Sequence, residues 1–368
     1  MIPVCEPLLT DEDIRLVLDC LQSGWVSSAG RYLDEFEAGW AAYCGMRHGV
    51  AVSNGTTALD VAVGLLDLKP GDEVILPTFT IISCAQAIVR GGGRPVLVDS
   101  DARTWQMDVA QVAAKITPRT RAIMIVHIYG HPADADPLLD LAARHGLFLI
   151  EDAAEAHGAE YRGRKCGGLG DVSTFSFYAN KLITTGEGGM VLTQRDDLAA
   201  RARSLRNLCF QPQQRFLHDE LGYNYRLTNM QAALGVAQMR RIEQIVERKR
   251  AIALRYSAQL GDIAGLSLPV EEPWARNVYW VYGIVIDEAT GLDAAELARR
   301  LRDRGIETRP FFLGMHEQPV FRRMGLFQGE HYPVAERLAR QGLYLPTGLT
   351  LQDAEIDRVC DAVRASLR

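Results

Sequence analysis

Phe148-Leu149-Ile150-Glu151-Asp152-Ala153-Ala154-Glu155-Ala156-His157 runs from a short apolar stretch straight into two adjacent carboxylates. The apolar part, Phe148 to Glu151, reads as a buried strand, with Asp152 at its carboxyl end. A carboxylate in that setting needs either a cationic partner or a helix start to cap. On both sides of it, from about residue 50 to 200, other short apolar runs alternate with helical patterns, as parallel strands joined by crossover helices do. Strands are predicted at Gly49 to Val52, Glu73 to Leu76, Arg94 to Val98, Ala122 to His127, Ser173 to Phe177 and Gly189 to Thr193. Helices fit Thr57 to Leu66, Ile82 to Arg90, Asp134 to His145 and Asp196 to Leu205. The fold class is therefore α/β, and sites are expected at the carboxyl ends of the strands.

Beyond residue 226 the pattern shifts. Thr228 and Gln231 have capping-box spacing, and apolar residues recur through Leu234, Met239, Ile242 and Ile245 toward Tyr256, predicting a helical stretch that bridges two domains. Then follow a strand (Tyr279 to Ile286), a helix (Ala294 to Arg304, stopped by Gly305), a strand (Glu307 to Arg309) and a terminal helix (Gln352 to Leu367). The expected division is a large domain over 1–255, including the N-terminal segment and the bridging helix, and a small α+β domain over 256–368.

Composition narrows the function. A net charge of −6 argues against a nucleic-acid surface, because binding phosphates along a chain needs clustered Lys and Arg. The densest basic run, Arg240 to Arg250, interleaves Glu243, Glu247 and apolar residues at helical spacing and reads as a solvated helix face. Seven cysteines without paired metal-ligand spacing read as reduced, mostly buried thiols, and no metal is expected. No apolar run reaches the roughly 18 residues of a membrane span. Met1 to Leu9 lacks the charged and apolar regions of a secretory leader, so a cytoplasmic, soluble protein is expected.

Three segments carry chemistry. Ser53-Asn54-Gly55-Thr56-Thr57-Ala58-Leu59 joins a strand end to a helix start, which fits an ordinary helix cap or an anion cradle. It is neither a Walker loop, since no Lys follows, nor a dinucleotide fingerprint, since the three-glycine spacing is missing. Asp152 caps a helix or pairs with a buried cation such as a pyridinium N–H. Ser173-Thr174-Phe175-Ser176-Phe177-Tyr178-Ala179-Asn180-Lys181 sets a lysine just beyond a buried strand, before the turn Thr184-Thr185-Gly186-Glu187-Gly188-Gly189. Taken alone, the segment reads first as an exposed loop lysine. A desolvated lysine loses its proton, as imine formation requires. Together, a phosphate cradle, a strand-end carboxylate and such a lysine are what pyridoxal 5′-phosphate requires.

With Ser23-Gly24-Trp25, Val126-His127-Ile128-Tyr129-Gly130, Gly222-Tyr223-Asn224-Tyr225-Arg226 and Arg309-Pro310 followed by His316, these motifs span nearly the whole chain. The chain resembles the DegT/DnrJ/EryC1/StrS family of nucleotide-sugar aminotransferases, a branch of the fold-type I pyridoxal-phosphate enzymes. The resemblance implies a large domain with a mostly parallel central sheet and a small C-terminal domain. It implies that Lys181 bonds the cofactor, that Asp152 pairs with the pyridine nitrogen and that Glu155 lies near the phenolic oxygen. Gly55, Thr56 and Ser176 would hold the phosphate, Asn224 would reach it from the second subunit of a homodimer, and His316 would lie near the sugar. Two departures stand out. Ile81 occupies the place of an aromatic residue over the ring, so either Ile81 covers it by dispersion or Phe79 stacks instead. Gly314 replaces a proline before Met315-His316, so a looser loop is expected.

The implied reaction moves an amino group from an amino acid, L-glutamate by analogy, to a nucleotide-linked keto-sugar. Gly24-Trp25-Val26-Ser27-Ser28-Ala29-Gly30-Arg31 and Glu155 resemble the perosamine-synthase-like group, which points to a GDP-linked 4-keto-6-deoxyhexose. The rivals are a related sugar dehydratase, which carries histidine where Lys181 stands, and a non-catalytic regulatory protein of the same fold, expected to have lost Asp152 or Lys181.

Overall fold

The computed structural model describes residues 1–211 and 213–367. Its centre is a seven-stranded sheet in the order His48–Val52, Gly189–Thr193, Val172–Ser176, Phe148–Asp152, Thr120–Val126, Glu73–Pro77, Arg94–Val98. Gly189–Thr193 runs antiparallel to both neighbours, and the pairings from Val172–Ser176 to Arg94–Val98 are parallel. Helices cover both faces, so these strands are buried along their whole length rather than on alternate residues. The α/β expectation holds, and each predicted strand of this sheet lies within about two residues of its place.

The N-terminal helices Asp11–Ser23 and Arg31–Tyr43 were not foreseen; they pack against Asn229–Met239. The bridging stretch is two helices, Asn229–Met239 and Ile242–Leu260. They break at Arg240 and Arg241, which turn aside to Glu12, Glu35 and Asp13. The basic run is thus largely a set of ion pairs, with Arg250 on Glu271. Lys249 is the exception to the solvated-face reading, being 2% exposed.

A second, antiparallel sheet orders Leu266–Ser267, Tyr282–Ile286, Gly342–Leu345 and Arg309–Pro310 around its own apolar cluster. The strand expected from Tyr279 begins only at Tyr282, because Tyr279 adopts a left-handed conformation (φ 47°). Two features cut across the expected 255/256 division. Ile242–Leu260 passes through it unbroken, and Ile2 pairs with Ile306 and joins the second cluster. Among the described residues, no helix is long and apolar enough to cross a membrane. All seven cysteines are free, and all but Cys5 are buried.

Candidate active site

The carboxyl ends of four strands open onto one cavity of about 670 Å³. After His48–Val52 the chain enters the helix Gly55–Gly64, whose cap Asn54 accepts the Thr57 N–H at 2.9 Å. The cap reading holds, with Asn54 closing one N–H, while those of Gly55 and Thr56 begin the helix at the cavity wall, where the cradle reading puts an anion. Ser176, on the neighbouring strand end, lies so close that a Cβ on residue 55 would stand 2.6 Å from its own Cβ. Only glycine allows that approach. The resulting notch, two N–H groups facing a hydroxyl, suits an anion the size of a phosphate ester.

Asp152 is 2% exposed. No helix follows it, so it caps none; Oδ1 accepts the Ala154 N–H at 3.0 Å and Oδ2 accepts the Cys84 thiol at 3.1 Å. Burial pushes its pKa up, against the pull of Cys84, Ala154 and Lys181. A cationic N–H would meet a carboxylate short of strong donors.

Glu151, the other member of the acidic pair, leaves the opposite face of the strand. It accepts from His127, Ser173 and the N–H groups of Gly167, Leu169 and Gly170. His127, Glu151 and Cys166 lie within 4.8 Å of one another, but the Glu151 oxygens are already taken up by the chain itself.

Lys181 reaches the same cavity as Glu155, its Nζ 3.6 Å from Oε1. The side chain is 10% exposed, which excludes a free loop lysine. Burial lowers its pKa, opposed chiefly by Glu155 and Asp152. Burial likewise raises Glu155 to about 7, although Lys181 and the Tyr129 N–H pull it down. A lysine and a carboxyl that share a proton in this way are suited to moving one.

Ile81 lines the cavity at 39% exposure, whereas Phe79 is fully buried beneath Tyr129 and Phe311. The register is thus settled: Ile81, not Phe79, faces the space above the strand ends. Asn224 is exposed and outside the cavity lining, while its neighbour Tyr225 lines it, held by the Ser53 N–H at 2.8 Å. His316 also lies outside the lining, 1% exposed, between Thr78 (2.8 Å) and Glu336 (3.2 Å). The looser loop is not found. Met315 is buried and its N–H binds Thr78, and a side chain on Gly314 would strike the His316 ring at 2.7 Å. Trp280, Phe312 and Tyr344, also on the cavity, escaped the sequence reading because they come from segments remote in the chain.

A family model covering residues 7–364 matches the chain. The chain belongs to the DegT/DnrJ/EryC1/StrS aminotransferase family. It is 43% identical over 363 residues to GDP-perosamine synthase of Caulobacter vibrioides, covering 98% of this chain and 97% of that one. It is 40% identical to dTDP-3-amino-3,4,6-trideoxy-α-D-glucose transaminase of Streptomyces venezuelae, over 96% and 91% of the two chains. Among solved structures, the aminotransferase TlmJ of Streptoalloteichus hindustanus superposes with a TM-score of 0.93 at 34% identity, over 100% and 99%. The protein is an aminotransferase of the sugar-modifying kind, and the cofactor of such enzymes is pyridoxal 5′-phosphate. The residues fit it: a glycine-only notch for the phosphate and a desolvated lysine on the cavity, with the underused carboxylate of Asp152 buried outside the lining, two residues before Ala154 on the wall.

Proposed function

We propose that the chain moves an amino group from L-glutamate to the 4-keto carbon of a nucleotide-linked 4-keto-6-deoxyhexose, with GDP as the nucleotide. The observation that carries the transfer is Lys181, buried beside Glu155 in the one cavity that also holds the Gly55 notch and Ile81. The nucleotide rests on the 43% identity with GDP-perosamine synthase.

When bound, pyridoxal phosphate supplies a carbonyl carbon, C4′, and a ring that draws electrons from it. The Gly55 and Thr56 N–H groups and the Ser176 hydroxyl would hold its phosphate, and Ile81 would cover the ring. Asp152 would accept the ring N1–H and keep it protonated, while Glu155 would stand by the phenolic oxygen. Lys181, whose pKa burial lowers, would be the residue that holds the cofactor at C4′. Once released by the donor amine, Lys181 takes the proton from the donor Cα and delivers it at C4′. With the keto-sugar in place the same nitrogen carries a proton in the opposite sense. His316 braces the wall behind Thr78.

Asn224 is exposed and outside the lining of its own cavity, in a stretch of chain that also exposes Phe216, Leu221 and Tyr223. This supports a homodimer in which Asn224 reaches the phosphate of the second subunit. Lys181→Ala and Asn224→Ala, each inactive alone, should then regain roughly a quarter of wild-type activity when co-refolded in equal amounts, since one site of a mixed dimer carries neither lesion. For the reaction itself, GDP-, dTDP- and UDP-linked 4-keto-6-deoxy sugars are supplied with glutamate and the products read by mass spectrometry. Amination of the GDP sugar at C4 is expected, and selective amination of a dTDP or UDP sugar overturns the nucleotide assignment.

A further inference from the structure

Lys181 does not hang free in the cavity. Its Nζ stands 3.6 Å above the centre of the Trp280 ring. The indole N–H of that ring donates to the carbonyl of Asn180, the residue just before the lysine, at 2.7 Å. One side chain thus touches the lysine twice, at its tip and at the root of its backbone. Trp280 is 4% exposed and is itself held from behind. Its carbonyl accepts from the buried Lys249 at 2.9 Å, and Lys249 also binds the Thr347 carbonyl at 2.6 Å. The preceding Tyr279 is locked in a left-handed turn, its N–H taken by Asn277 at 2.8 Å. The indole therefore comes from the second sheet's side of the molecule on a backbone with little freedom, and Lys181 meets it from the first.

We propose that Trp280 is a positioning residue for Lys181: its face receives the lysine as an ammonium once the released side chain has taken up a proton, and its N–H fixes the Asn180 carbonyl so that the lysine returns to one place. The proposal rests on the reading above that Lys181 bonds the cofactor. A buried ammonium is costly unless something negative faces it, and the face of an indole is the strongest aromatic partner for a cation. Here the compensation comes from two sides, the Glu155 carboxylate and the ring.

The other titratable groups around Lys181 are accounted for. Asp152 and Cys84 also act on it electrostatically. His157, which burial lowers to about 3, stays neutral. The Tyr129 and Tyr344 phenols, raised by burial, stay protonated. Of these groups, Glu155 and Asp152 carry the charge that faces Lys181, and replacing Trp280 removes neither.

The test reads the lysine directly. In enzyme loaded with pyridoxamine phosphate, where Lys181 is unbonded, its acylation by acetic anhydride is followed against pH by peptide mass spectrometry, with the exposed Lys69 as internal reference. Trp280→Leu should move the Lys181 midpoint down by about one pH unit, the size of a desolvated cation–π contact. Trp280→Phe keeps a face and loses the N–H; it should hold the midpoint closer to wild type while lowering kcat several-fold at unchanged KM for the keto-sugar. Should Trp280→Leu fail to fold, biosynthetic replacement of tryptophan by its fluorinated analogues weakens the ring face at constant shape, and the midpoint should fall stepwise with fluorine number. An unmoved midpoint in Trp280→Leu, or a flat response to fluorination, overturns the proposal. Borohydride reduction of the wild-type holoenzyme separates this from the reading beneath it: tagging at Lys181 sustains that reading whatever Trp280 does, and tagging at another lysine removes it.

Discussion

Glu151 and Asp152 are chain neighbours, equally buried, and the molecule treats them in opposite ways. Burial pushes both up. For Glu151, His127 and the Gly167 and Leu169 N–H groups outweigh it and hold the carboxyl below its ordinary range. For Asp152, a weak thiol donor and one backbone N–H do not, and the carboxyl stays raised. The saturated carboxylate ties Gly167–Gly170 to the sheet, whereas the unsaturated one feels the charge of Lys181 and lies two residues before Ala154 on the cavity wall. A charge the fold has fully answered is architecture; one left short of partners is waiting for a ligand.

Conservative amides break this comparison most directly. Asp152→Asn should slow both half-reactions by orders of magnitude, since an amide cannot keep the ring nitrogen protonated, while its chemical denaturation midpoint stays at or above wild type. Glu151→Gln should do the reverse, costing about 3 kcal/mol of stability through donors left facing an NH2, with turnover per folded, cofactor-loaded site retained. If both variants lose stability and both keep activity, the contrast is wrong.

The two buried lysines extend it. Lys249 donates to two carbonyls, so Lys249→Met should lower stability by about 1–3 kcal/mol and leave borohydride tagging of the cofactor intact. Lys181→Met should abolish tagging and turnover yet unfold no more easily than wild type, because it removes a buried amine with incomplete compensation.

A smaller effect concerns acid stability without cofactor. Glu155 titrates near 7 in the folded chain against 4.5 when unperturbed, so between those values the folded state binds the extra proton. Its contribution is present below about pH 4.5 and is lost as pH rises through 7. Glu151 has the opposite sign, stabilising above its unfolded value and losing that as pH falls. Thermal midpoints of the cofactor-free protein from pH 4.5 to 7.5 should therefore decline less steeply in Glu155→Gln than in wild type.

The smallest expected change is at Cys84. Cys84→Ala deletes the thiol donor to Asp152 and should reduce kcat a few-fold, with Cys84→Ser restoring much of it, because a hydroxyl is the better donor to a carboxylate. Steady-state kinetics of the pair checks this.

Much of this was legible in the chain. The strands from His48 to Thr193 announced themselves because a sheet covered on both faces favours short, largely apolar runs, and the turns at Gly55 and after Ser176 follow two of their ends. The helices Asp11–Ser23 and Arg31–Tyr43 carry no motif that distinguished them, and the break at Arg240 depends on Glu12, Glu35 and Asp13, which approach only in the folded chain. Phe79 and Ile81 lie two residues apart, and their spacing could not say which would face the cavity.

What the sequence determined by itself was therefore local and chemical: which residue types stand at which strand ends, a lysine, a carboxylate and a glycine turn of the kinds that pyridoxal phosphate requires. Which carboxylate is satisfied, which of Phe79 and Ile81 lines the cavity and which indole lies against the lysine were decided only by tertiary structure. Each is settled by partners such as Ser173, Phe311 and Trp280, and whether a buried charge is answered depends on every donor that packing brings to it, however far away in the chain.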